Sequence, residues 1–141
     1  MGQPNVPIDR KLRAMFREAR IIAVVGLSSK AWRDSNRVAS YLQTNGYRIV
    51  PVNPGETEVL GEKSYPSLVD VPEEVPIDIV DVFRRPEHTP DVAKKAVAIG
   101  ARVLWLQIDI INDEARRIAE AGGLDVVMDE CIMTTHRRLE V

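Results

Sequence analysis

Residues 26–35 read GLSSKAWRDS, directly after the apolar run that ends at Val25. One glycine, two hydroxyls and two cations sit in ten residues. A glycine in that place lets the backbone turn sharply and lets a ligand come close to its amides. Ser28 and Ser29 offer hydroxyl hydrogen bonds to phosphate oxygens. A helix starting near Ser35 turns its free N–H groups and the positive end of its dipole toward the same place. Lys30 and Arg33 add positive charge, and so do Arg84 and Arg85 in FRRPEHT (83–89). Asn53 and Pro54 in VNPGE (52–56) form a rigid wall fit to flank an adenine or a ribose. Each feature taken singly has a bland use: a strand-to-loop turn, solvated charge, an ordinary turn dipeptide, arginines paired with Glu87 and Asp91. Their meeting at one crevice is what points to an anionic, phosphate-rich ligand.

The chemistry narrows further by elimination. An NAD site needs an acidic residue at the end of the second strand, about 20 residues past the glycines, to hold the ribose diol. The stretch IVPVNP (49–54) contains neither Asp nor Glu, and G-x-G-x-x-G fails because Gly26 is followed by LSSKA. Arg48 lies at the start of that strand, so NADP fits little better. The Walker pattern of nucleoside triphosphatases is absent.

These loops need a scaffold that brings them together, and the patterning supplies one. Residues 8–19 place Ile8, Leu12, Met15, Phe16 and Ala19 on one helical face. IIAVVG (21–26) is a β-branched run of the kind buried on both faces of a parallel sheet. The alternation continues: a helix over 35–46 capped by Ser35, a strand in 47–54, a turn-rich stretch with a short edge strand near Lys63–Tyr65, a helical turn in 66–72, and a strand over 77–83. A helix over 89–100 capped by Thr89, a strand over 102–108, a helix over 112–122 capped by Asn112 and a strand over 124–130 complete it. The tail CIMTTHRRLEV reads as a strand extension or turn. Strands alternating with helices imply an α/β, Rossmann-like, doubly wound and mostly parallel sheet of five main strands, with helices on both faces. The first strand should lie between 47–52 and 77–83. The loops at 26–35, 52–56 and 83–89 then converge where the strand order reverses.

Length and composition agree with one domain spanning 1–141. The chain has 141 residues, 45% of them hydrophobic, and no linker or low-complexity segment. Lys and Arg number 19 against 21 Asp and Glu, a net charge of −2 that gives no general attraction to nucleic acid or membrane. No apolar run approaches the ~20 residues of a membrane span. The N-terminal MGQPNVPIDRK lacks a leader's apolar stretch, so a cytoplasmic location is expected. Cys131 is the one cysteine, and only His88 and His136 could offer imidazole, so neither an internal disulfide nor a metal site is expected.

The strings AVVGLSSKAWRDSNRVASYL, GYRIVPVNP, VLGEKSYPSL, VDVFR, VLWLQ and VVMDECIMTTHRRL, in that order, resemble the small bacterial and archaeal CoA-binding proteins. These are stand-alone Rossmann-type domains similar to the N-terminal domain of the succinyl-CoA synthetase alpha subunit. The resemblance runs from about Ile21 to Leu139. It implies that Gly26, Leu27, Ser28, Ser29 and Lys30 contact the nucleotide phosphates. Val52, Asn53 and Pro54 would line the nucleotide side, and Phe83, Arg84 and Arg85 would border the crevice. Arg33 and Ser35 match the family's arginine and serine before the helix. CoA fits the elimination above: its 3′-phosphate blocks one ribose hydroxyl, so no diol-binding carboxylate is needed. Two positions depart from the family pattern. Asp109 replaces the glycine of W-x-Q-x-G, which puts any role of Gln107 in question, and Glu130 replaces the arginine before Cys131.

The expected function is non-catalytic binding of CoA or an acyl-CoA. The alternatives are the CoA-binding component of an acyl-CoA ligase that works with a partner chain, and an NAD(H)-binding redox sensor. Ligase chemistry uses a phosphorylated histidine and a nucleotide-grasping domain outside this portion. His88 in the crevice loop reads as solvated and His136 as packing. Cys131 reads as a small buried residue at a strand end, or as the partner of the CoA thiol in a mixed disulfide. Trp105 reads as core, and Trp32 as either stacked on adenine or packed on its own helix.

Overall fold

A computed structural model describes residues 6–141; residues 1–5, part of the stretch read for a leader, lie outside the described residues. Helix α1 (Val6–Glu18) precedes β1 (Ile21–Val25), α2 (Asp34–Thr44) and β2 (Arg48–Val52). A minimal hairpin, β3 (Glu58–Val59) and β4 (Glu62–Lys63), leads through a 3-10 turn at Leu68–Asp70 to β5 (Ile79–Val82). A second 3-10 turn (Pro86–His88) opens α3 (Thr89–Ala98). Then come β6 (Val103–Leu106), α4 (Asp113–Ala121), β7 (Asp125–Val127) and α5 (Ile132–Leu139).

The five long strands form one sheet in the order β2-β1-β5-β6-β7, and every neighbouring pair is parallel. β1 lies between β2 and β5, as expected. The very short edge strand anticipated near Lys63–Tyr65 takes the form of β4, paired antiparallel with β3, followed by one parallel bridge between Tyr65 and Val52. Alternation along β1 sorts the core. Ile22 and Val24 face α1, α2 and α5 together with Phe16, Leu42 and Trp105, while Ala23 and Val25 face α3 and α4 together with Ala93, Ala96 and Ala115. Alanines on the α3–α4 side let those helices sit close to the strands. The helices thus lie on both faces of a doubly wound sheet, and the chain leaves β1 in one direction toward β2 and later in the other toward β5.

Several local expectations change. The tail is a helix, because Ile132, Thr135, His136 and Leu139 are buried at helical spacing. Threonine and histidine fill half of that stripe, so it carries no apolar signature. His136 is enclosed by the rings of Phe16, Tyr41 and Tyr47, and its Nδ1 lies 2.7 Å from the Tyr41 hydroxyl. Burial lowers its pKa. The N-cap of α2 falls at Arg33, two residues before the expected Ser35. His88 takes the N-cap of α3 and leaves Thr89 to donate to the Pro86 carbonyl at 2.7 Å. Asn112 does cap α4, accepting from the Ala115 amide at 2.8 Å. Trp105 is core, with its indole N–H donating to the Glu130 carbonyl at 2.8 Å.

Asp81 sits fully buried on β5, in register with Val24 and Trp105. The Gln107 side-chain amide donates to its Oδ1, while its Oδ2 has no partner. Burial pushes this carboxyl up to about 8, and the Gln107 hydrogen bond only partly opposes that. The folded chain therefore keeps a proton that the unfolded chain releases near pH ~4. Because the folded state then binds more protons, stability falls as pH rises from about 4 to about 8. Asp81→Asn should remove that slope. Urea unfolding should show the variant gaining on the wild type between pH 5 and pH 8, by on the order of 1 kcal/mol per pH unit. Parallel stability profiles for the two proteins would contradict this assignment.

Candidate functional site

The crevice forms where β1 and β5 run side by side and their following loops part. Gly26 makes the first turn with φ +89°, donating its N–H to the Val52 carbonyl at 2.8 Å. A Cβ at this position would lie 2.3 Å from the Phe83 carbonyl oxygen, so only glycine fits. The loop behind it is held by side chains of its own and of α2 and the turn after β2. Ser28 N–H donates to Ser35 Oγ at 3.1 Å, and Lys30 N–H donates to Ser28 Oγ at 3.1 Å. Asn36 Nδ2 holds the Ser28 carbonyl at 2.8 Å, and Asn53 Nδ2 holds the Leu27 carbonyl at 3.0 Å. Both serine oxygens thus act as acceptors toward the backbone, which leaves their hydroxyl hydrogens free to donate to a ligand.

Two cavities adjoin at this place. The larger, about 600 Å³, is lined by Gly26, Ser28, Lys30, Arg33, Asp34, Ser35, Gly55, Glu56 and Phe83. It gathers residues of the glycine-serine-lysine string and of the turn after β2. The smaller, about 110 Å³, lies toward α3 between Val52, Pro54, Pro66, Ser67, Arg84, His88, Asp91 and Lys95. The Oγ of Ser67 is buried there without a hydrogen-bond partner. Asp91 pairs with Lys95 at 2.9 Å rather than with either arginine. Arrangements of this kind suit an extended ligand whose anionic middle lies in the cradle and whose flat end enters the smaller cavity.

The sequence comparison settles the family. The profile of the CoA binding domain matches residues 20–137. This chain belongs to that family. The uncharacterized protein YneT of Bacillus subtilis (strain 168) is 40% identical over 130 residues, 92% of this chain and 95% of that protein. An ADP-forming acetate–CoA ligase (II) of Archaeoglobus fulgidus is 34% identical over 90 residues, which are 61% of this chain but 13% of the ligase. Among solved structures, a hypothetical protein from Pyrococcus horikoshii OT3 superposes with a TM-score of 0.92 at 39% identity, covering 100% of this chain and 99% of that one.

Within this CoA-binding domain the anticipated residues divide into groups. Gly26, Ser28, Lys30, Arg33, Ser35 and Phe83 share the larger cavity, and Val52, Pro54 and Arg84 share the smaller one. Leu27 is fully buried, so its side chain belongs to the core and only its backbone reaches the crevice. Asn53 braces the loops and also accepts from the Gly55 amide at 2.9 Å. Ser29 presents its backbone amide, which donates to Glu56. Arg85 is exposed, caps the 3-10 turn at Pro86–His88 and lines neither cavity. Trp32 is 71% exposed at the loop tip, with the Lys30 ammonium 5.7 Å from its ring centroid.

Sequence reasoning missed Glu56, Asp34, Ser67 and Lys95. The first two are carboxylates in a cradle read as purely cationic. Asp34 is taken by Arg37 of the same helix. Glu56 stands in a turn after β2 whose reach back toward Ser29 has no sequence signature. Asp109 resolves more simply. It has a left-handed backbone (φ +68°), and its N–H donates to Asp129 Oδ1 at 2.7 Å. Aspartate is among the residues that tolerate this conformation. Cys131 is partly buried and N-caps α5.

Gly26→Ala tests the turn. It forces a left-handed alanine and an overlap with the Phe83 carbonyl, and should destabilise the domain by about 2–4 kcal/mol in chemical unfolding. A variant of unchanged stability would mean that the β1 and β5 loops are free to move apart.

Proposed function

We propose that this domain binds CoA, or an acyl-CoA, without catalysing a reaction on its own. The observation that carries the reading is the cradle at the β1–β5 divergence. It offers two oriented hydroxyl donors from Ser28 and Ser35, with Lys30 and Arg33 alongside. Membership of the CoA binding domain family supports the same ligand. In this reading the diphosphate lies in the larger cavity. The adenosine enters the smaller one between Pro54 and Pro66, with the Ser67 hydroxyl bonding the base. Arg84 and Lys95 take the 3′-phosphate as charge-assisted partners. The pantetheine arm leaves along the outer side of the cradle.

In the smaller cavity Ser67 Oγ is unpartnered and His88 is exposed on a turn, so the two are not arranged as a nucleophile with its base. A second reading makes the domain one component of an acyl-CoA ligase assembled with a partner chain, and the similarity to a ligase from Archaeoglobus fulgidus favours it. In that case CoA binds in the same crevice and the chemistry comes from the partner.

Calorimetric titration separates these ideas from an NAD(H) sensor. CoA should bind saturably. 3′-Dephospho-CoA, Lys30→Ala and Arg84→Ala should each weaken binding by about five- to tenfold, as expected for loss of one charge-assisted contact. Clear NADH binding with none for CoA would overturn the proposal.

A further inference from the structure

Glu56 stands out as a negative charge inside an anion cradle. Its carboxylate accepts the Ser29 amide at 2.9 Å. It arrives there from the turn after β2, where the Glu56 amide donates to the Asn53 carbonyl at 3.2 Å and the Gly55 amide donates to Asn53 Oδ1 at 2.9 Å. Among the described residues no lysine or arginine forms an ion pair with it, whereas Asp34, the other carboxylate lining the cavity, is neutralised by Arg37. The amides of Ser28 and Lys30 are held by neutral hydroxyls on the loop or on α2. Ser29 alone in this loop is bonded to an ionised group, and that group comes from a different loop. A backbone N–H at a glycine turn is the kind of donor that a phosphate oxygen takes. A carboxylate oxygen at 2.9 Å has the same charge sign and the same acceptor geometry.

We propose that Glu56 is an internal stand-in for the ligand's diphosphate: it holds the Ser29 amide in place and is displaced when the diphosphate binds. The proposal rests on the CoA reading above. Binding then exchanges one anion for another on the same donor. The swap costs affinity, because the released carboxylate stays on the cradle wall and repels the incoming phosphates. In return the loop keeps its bound shape with its amide satisfied, and weakly charged acceptors find the place already taken. Glu56 thereby sets both the affinity of the site and its preference for a diphosphate over lesser anions.

The test compares wild type, Glu56→Gln and Glu56→Ala by calorimetry, with CoA and with adenosine 3′,5′-bisphosphate, which lacks the diphosphate. Gln keeps an acceptor for the Ser29 amide and removes the charge. Both variants should bind CoA about fivefold more tightly than wild type at low ionic strength, the gain expected from removing one nearby like charge. The gain should shrink at high salt, since Glu56 is only partly buried. The gain for adenosine 3′,5′-bisphosphate, which brings one phosphate of that pair instead of two, should be smaller. Weaker CoA binding in both variants would overturn the proposal and make Glu56 a brace or a direct ligand contact. An equal gain for both ligands would also overturn it, leaving only a long-range charge effect. Failure of all three proteins to bind CoA would instead bring down the CoA reading, and this proposal with it.

Discussion

Everything at the crevice depends on one close approach. The backbone after β1 must turn beneath the Phe83 carbonyl, and it does so at Gly26 with a positive φ and no room for a Cβ. That contact lets the loops after β1 and β5 stay side by side at their roots and separate only above the sheet. The sheet order supplies the reason for the separation. From β1 the chain goes out to β2 over the α2 face and later returns to β5 and onward over the α3–α4 face. Loops on opposite faces cannot close over one another, so a crevice remains at the reversal. The parallel strands beneath it are buried on both sides and give the loops a rigid base.

On that base the polar groups are arranged by hydrogen bonds rather than by charge alone. Ser35, Asn36 and Asn53 fix the loop from α2 and from the turn after β2. A loop ordered before its ligand arrives loses less conformational freedom on binding. The cations are arranged differently. Lys30 and Arg33 are exposed and pair with no acid among the described residues, so they attract an anion without defining its pose. Pose comes from the serine hydroxyls and amides, attraction from the rim. In the proposed binding mode Glu56 opposes that attraction at one point.

The fold was largely legible because its signals are strong and local. The run from Ile22 to Val25 is buried on both faces, and Asn112 caps its helix as its type suggests. Gly26 was legible too, since a glycine closing a β-branched run has few other uses. Glu56 was missed because its partner is distant in sequence: it meets Ser29 across 27 residues. The helical tail was missed because threonine and histidine occupy buried positions that an apolar pattern leaves blank. Asp81 sits in an alternating strand where an acid reads as solvent-facing, yet here it faces Trp105 and Gln107 in the interior. Family resemblance supplied the ligand; residue chemistry alone stopped at a phosphate-rich nucleotide without a free ribose diol.

Amide chemical shifts of the isotope-labelled protein, followed during titration with CoA, test the central claim most directly. The account predicts saturable shifts concentrated in residues 26–36, 53–56, 66–68 and 83–95, with the Ser29 amide among the largest because its acceptor changes. The amides of α1 and α5 should stay still. Shifts centred on the cleft between α1 and β7, or spread without a focus, would place the ligand elsewhere and contradict a crevice built on Gly26.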